Sequence, residues 1–133
     1  MAKLFSTRTH GILDYATAAL LPVVPRALGW DRDTTRVFDT AAGAAAINGL
    51  VTRYELGVLP LMPMQGHLAA DAAWGTSLLA AAPGVTARNP AAGWLLAGFG
   101  LFGWIAALTT QTRSPQELAE LGPQQALPEP SLL

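Results

Sequence analysis

Apolar and polar positions alternate along this chain in long blocks, and the apolar blocks have the length of helices that cross a membrane. Four spans stand out: Gly11 to about Trp30, Val37–Val51, His67–Val85 and Ala91–Leu108. At 15 to 20 residues each, they are at or just under the length needed to cross a hydrocarbon core of about 30 Å. Pro22 and Pro25 predict a break or kink in the first span around Leu21–Pro25, because proline removes a donor and crowds the preceding turn. The charged hexamer Asp31–Arg36 then reads as a loop ending in an N-cap at Thr34 or Thr35. The second span is weakly hydrophobic and built of small residues, Gly43 to Ala46 and Gly49, which suits a helix facing its neighbours rather than lipid. Asp39 near its start reads as a partner for the helix dipole.

The two prolines of Gly57–Met64 predict an apolar, non-helical connector. The third span meets Pro83 at its far end, and Thr86–Pro90 reads as a turn. The fourth span has no charge, places Gly93, Gly100 and Gly103 for close packing, and carries Trp94 and Trp104 towards its ends. From residue 114 the composition turns proline-rich and acidic, which predicts a disordered tail over 114–133.

Composition supports a membrane setting. Only 13% of the 133 residues are charged, about half the usual share, and mean hydropathy is +0.33. A small soluble domain needs many charges to cover its large relative surface. A water-soluble helical bundle with an alanine-rich core is the alternative. Net charge is −1 without a basic tract, which argues against nucleic-acid binding. With no cysteine, disulfides, iron–sulfur clusters and thiolate metal sites are excluded. The N-terminus runs into the first span without a recognisable cleavage site, so no removable signal peptide is expected. Arginine and lysine fall four against four on the two sides of the four-span arrangement and leave the orientation undecided.

An internal repeat organises the chain. His10-x-x-x-Asp14 recurs as His67-x-x-x-Asp71, and Leu50-Val51-Thr52 matches Leu108-Thr109-Thr110 at an offset of 58. The sequence thus predicts an all-α fold: a four-helix transmembrane bundle of two tandem helix pairs, about 8–55 and 65–113, in one domain over 1–113. An even number of spans per unit puts both His/Asp pairs on one side, joined there by Arg53, Tyr54 and Glu55.

The segments HGILDY and TRYELG, the LL-x-x-x-P helix end followed by LGW, and the second H-x-x-x-D helix make residues 8–108 resemble small bacterial integral membrane proteins of the SPW-repeat type. Val24-Pro25-Arg26 and Ala82-Pro83-Gly84 keep only the proline of that tripeptide. The resemblance implies a multi-pass protein of the bacterial inner membrane built from helix-pair repeats, and no assigned activity.

Chemistry concentrates in His10, Asp14, Arg53, Tyr54, Glu55, His67 and Asp71. Histidine and aspartate at i and i+4 share a helix face. Two imidazoles with the carboxylates of Asp14, Asp71 and Glu55 form a donor set for a first-row divalent metal. Haem held between His10 and His67, or a proton- or ion-handling cluster, would use the same residues. The plainer expectation is that these groups lock the repeats together in a small structural or assembly protein, self-associating through its Gly/Ala faces in the bilayer. Met62 and Met64 read as anchoring residues of the connector rather than soft-metal ligands. No nucleophile elbow, P-loop, dinucleotide fingerprint or H-E-x-x-H is present, so no enzymatic activity is predicted.

Overall fold

Five helices make up the regular structure in the computed structural model, which describes residues 3–123 and 130–133. They are α1 (Thr7–Ala27), α2 (Arg32–Leu50), α3 (Met64–Thr86), α4 (Pro90–Thr109) and the short α5 (Pro115–Ala119). Outside them the described residues form three isolated parallel bridges, Lys3 with Ser131, Phe5 with Thr110 and Thr52 with Met62.

Helix α1 does not break where its prolines suggested. It continues through Pro22 and Pro25 to Ala27, with Leu21 and Pro25 both buried and packing holding the turn that the missing donors weaken. It stops at Gly29, whose φ of 64° a side chain would resist. There Gly29 N–H donates to Arg26 O and Trp30 N–H to Pro25 O, closing the last carbonyls. The N-cap of α2 is Asp31 rather than Thr34 or Thr35: its carboxylate accepts from the amides of Asp33 and Thr34 and from the Thr34 hydroxyl at 2.6 Å. A carboxylate satisfies two orphan amides where a hydroxyl satisfies one. Asp39 lies two turns into the helix and forks onto Arg26 at 2.7 and 2.9 Å, tying α2 to α1 instead of serving the dipole.

The helices pack as two hairpins. Helix α3 lies along α4 and α1 along α2, while the halves meet chiefly along α2 and α3. In the second hairpin Gly75 faces Gly100 so closely that a methyl group on Gly75 would stand 2.6 Å from the Gly100 carbonyl oxygen. Gly93 is tighter still, against Thr86, and Gly103 lies close to Trp74, where a methyl group would stand 3.1 Å from the ring, in keeping with the spacing seen in the sequence. Gly43, by contrast, has open space around it, and Ile47 is exposed, so α2 does not turn all its small residues inward. The main core joins Leu21, Phe38, Ala41, Leu78, Val85, Ala92 and Leu96. Trp74 adds a polar link, its indole donating to Ala41 O at 3.0 Å.

The connector is non-helical, as its prolines required. It folds back on α2: Val58 and Leu59 amides donate to Leu50 O, and Leu61 and Met62 amides to Val51 O. Its tip leaves Val58, Leu59 and Leu61 exposed. The tail expected to be disordered from residue 114 instead begins with α5, opened by a Ser114/Glu117 capping box and Pro115. Residues 130–133 run beside the N-terminal segment, where Lys3 N–H meets Pro130 O and Ser6 N–H meets Leu133 O. The part of the tail between them, residues 124–129, lies outside the described residues.

Among the described residues, only Pro90–Thr109 is long and apolar enough to cross a membrane by length and composition, with mean hydropathy 1.7 in its most apolar window. The other long helices fall short for visible reasons. Helix α1 carries Arg8, Asp14 and Arg26, α2 opens with Arg32, Asp33, Arg36 and Asp39, and α3 holds His67, Asp71 and a run of small side chains. The fold is all-helical, with one candidate membrane span rather than the four expected.

Candidate metal centre

Ser6 starts the site. Its hydroxyl accepts from the Thr9 amide and begins α1 so that His10 and Asp14 fall one turn apart on the face towards α3. Pro63 starts α3 and puts His67 and Asp71 in the same relation. Pro63 offers no side-chain cap, and Glu117 of the tail supplies one by accepting from the Met64 amide at 3.1 Å. Both helices point their first turns to the same end of the bundle, and the two His/Asp pairs meet there.

Four side-chain atoms converge. His10 Nε2 lies 3.0 Å from His67 Nε2, 2.8 Å from Asp71 Oδ2 and 3.3 Å from Asp14 Oδ2. His67 Nε2 lies 3.0 Å from Asp14 Oδ2 and 3.2 Å from Asp71 Oδ2. Both imidazoles are fully buried, and the two carboxylates are 14% and 13% exposed. Among the described residues this is the group of His and acidic side chains compact enough to hold a metal ion. A tetrahedral ion with bonds of about 2.0 to 2.1 Å needs ligand atoms about 3.4 Å apart, and the cluster reaches that size by opening by a few tenths of an ångström.

Each imidazole is oriented from behind. His10 Nδ1 sits 2.7 Å from Thr110 Oγ1, and His67 Nδ1 sits 2.8 Å from Thr52 Oγ1. Those hydroxyls already donate to helix carbonyls four residues back, Ala106 O at 2.7 Å and Asn48 O at 2.6 Å. Their oxygens therefore accept from Nδ1–H, which places a proton on Nδ1 and turns Nε2 towards the cluster. The bonds cross between the hairpins: the threonine after α2 holds the histidine of α3, and the threonine after α4 holds the histidine of α1. Asn48 Nδ2 completes the set by donating to Asp71 Oδ1 at 2.7 Å.

The remaining residues singled out in the sequence stand around this centre rather than in it. Tyr54 is 1% exposed and packs on the His67 ring, with centroids 5.8 Å apart. Its hydroxyl is buried without a hydrogen-bond partner, and burial, with Tyr15 and Asp14 nearby, pushes the phenol well above its ordinary pKa. Glu55 is exposed and accepts from the Thr7 hydroxyl at 2.8 Å, so it does not join the ligand set. Arg53 turns outward to Glu120 at 3.0 Å instead of neutralising an aspartate. The pair His10 and His67 does not suit haem. Their nitrogens almost touch, the rings meet edge to face at 74°, and no gap for a macrocycle lies between them.

Thr52, Thr110 and Asn48 were not read as site residues from the sequence. The two threonines were visible there as matching positions of the repeat, but nothing in one dimension says that a helix end of one half reaches the histidine of the other. In comparison with known proteins the chain matches no family model, no curated protein and no solved structure.

Proposed function

We propose that this chain is a membrane-embedded helical bundle that binds one divalent transition-metal ion between its two repeats, through His10, His67, Asp14 and Asp71. The observation that carries the reading is the convergence of four ligating atoms, five of whose six separations lie between 2.8 and 3.3 Å. The threonines behind both rings turn Nε2 inward, the orientation a metal-bound histidine takes. Two neutral imidazoles and two carboxylates with a divalent ion sum to zero charge, which suits a poorly hydrated site. Nitrogen and carboxylate ligands without sulfur favour Zn, Mn, Fe or Co over soft ions.

Support for the bilayer comes from α4 and from the apolar surface that the fold leaves uncovered. Leu20, Val23, Ile47, Trp94, Leu101, Ile105 and Leu108 are all more than half exposed, an apolar surface that lipid would cover. Multi-pass insertion and kinship with SPW-repeat proteins belong to the same proposal. Elemental analysis of detergent-purified protein tests it: one ion per chain is expected, and none in the His10→Ala/His67→Ala variant. Metal-free wild-type protein after supplementation with Zn, Mn, Fe and Co would overturn the metal reading.

A further inference from the structure

The four ligands are not held equally. His10 is fixed by Thr110, His67 by Thr52, and Asp71 by Asn48. Asp14 receives no comparable hydrogen bond, and its Oδ2 is buried without any hydrogen-bond partner, although both imidazoles lie within 3.3 Å. The repeat explains the difference. Asn48 precedes Thr52 by four residues, and the residue four before Thr110 is Ala106. Where the first half sends a carboxamide across to the aspartate of the second, the second half sends only a methyl group back.

A cavity of about 20 Å³ fills the space this leaves. Asp14, Asp71 and Ala106 are among the residues that line it, with Thr17, Ala45 and Gly103. A volume of this size accommodates one water. It lies on the carboxylate side of the cluster, and neither imidazole lines it.

From this asymmetry, and resting on the metal reading above, we infer that Asp14 is a displaceable ligand. The centre is then three fixed protein ligands, two imidazoles and one carboxylate, with a fourth position that a water, a hydroxide or another small anion takes from the cavity side when Asp14 turns away. Three protein ligands and an exchangeable position are the arrangement of metal sites that do chemistry, whereas closed four-ligand sites serve structure. Exchange moves no electrons and breaks no covalent bond. The incoming donor forms one bond to the metal, and the Asp14 carboxylate gives one up.

The test uses full-length protein loaded with Co(II), whose visible spectrum reports coordination, and azide as the probe. Wild type is expected to bind one Co(II) and to change spectrum on azide addition. Asp14→Ala should keep Co(II) with affinity lowered about 10- to 100-fold and respond to azide at a concentration at least tenfold lower than wild type. Asp71→Ala should lose at least tenfold more Co(II) affinity than Asp14→Ala, because it removes a fixed ligand. Ala106→Asn restores the missing carboxamide and fills the cavity, so Co(II) should stay while the azide response falls at least tenfold. If wild type and Asp14→Ala bind Co(II) and neither responds to azide, the centre is closed and the inference is overturned. Equal losses for the two aspartate variants overturn it too, without depending on how Ala106→Asn folds. If wild type takes up no Co(II) or other divalent ion, the metal reading itself fails and takes this inference with it.

Discussion

At Thr52 and Thr110 a hydroxyl already committed to a helix carbonyl decides which imidazole nitrogen faces the cluster. Replacing either by valine keeps the shape and removes the acceptor for Nδ1–H. Thr52→Val and Thr110→Val are each expected to weaken metal binding about 10- to 100-fold, the usual cost of losing an outer-shell partner, while circular dichroism stays unchanged. Competition with a chromophoric chelator would measure it, and unchanged affinity in both would remove the threonines from the site. Gly11 matters for a different reason. A methyl group there would overlap the Tyr54 ring, which covers His67. Gly11→Ala should therefore destabilise the protein by about 1 to 3 kcal/mol, as overpacking of a filled core does. Chemical denaturation in detergent reads it directly, and a neutral result would mean that Tyr54 has room to move.

Element by element, the terminal side of the bundle is covered by short pieces that the long helices do not supply. Helix α5 is anchored by Ser114 Oγ donating to Arg53 O at 2.7 Å and by Gln116 donating to Tyr54 O at 3.2 Å. Glu117 both closes the α5 capping box and caps the first turn of α3. Glu117→Ala removes both contacts, and a lost N-cap alone costs about 1 kcal/mol. Hydrogen exchange should accelerate over residues 64–68 and 114–119 in that variant and remain unchanged in the middle of α4. Uniform acceleration across all helices would show instead that the cap supports global rather than local stability.

For the whole molecule, the two hairpins share the core of Leu21, Phe38, Leu78 and Leu96, and an ion held at the His/Asp cluster would add a second clasp between them. Metal removal should lower the unfolding temperature, since a ligand at a hundred times its dissociation constant stabilises the native state by about 2.7 kcal/mol. Chelator treatment followed by Zn or Co readdition should shift the transition down and back, and the His10→Ala/His67→Ala variant should show neither shift. The bilayer reading has its own test: the protein should stay in the membrane pellet through a carbonate wash, and release into the supernatant would count against it.

How much of this was legible in advance depends on the range of the interaction concerned. Helical content, the glycine-packed α4 and the pairing of His10 with Asp14 and His67 with Asp71 follow from periodicity and spacing, which are local properties of the chain. The Pro22/Pro25 break and the Thr34/Thr35 cap failed because a buried Leu21–Pro25 turn and the reach of the Asp31 carboxylate outweighed local propensity. Glu55 and Arg53 belong with the cluster by topology, since the second span ends on its side, but the loop that carries them turns both away from it. What only the tertiary structure decided is the crossing of the repeats. Thr52 meets His67, Thr110 meets His10, and Asn48 holds Asp71 while Ala106 leaves Asp14 unheld. Those contacts join residues 15 to 100 positions apart, and their geometry arises from how the hairpins pack, which no single helix encodes.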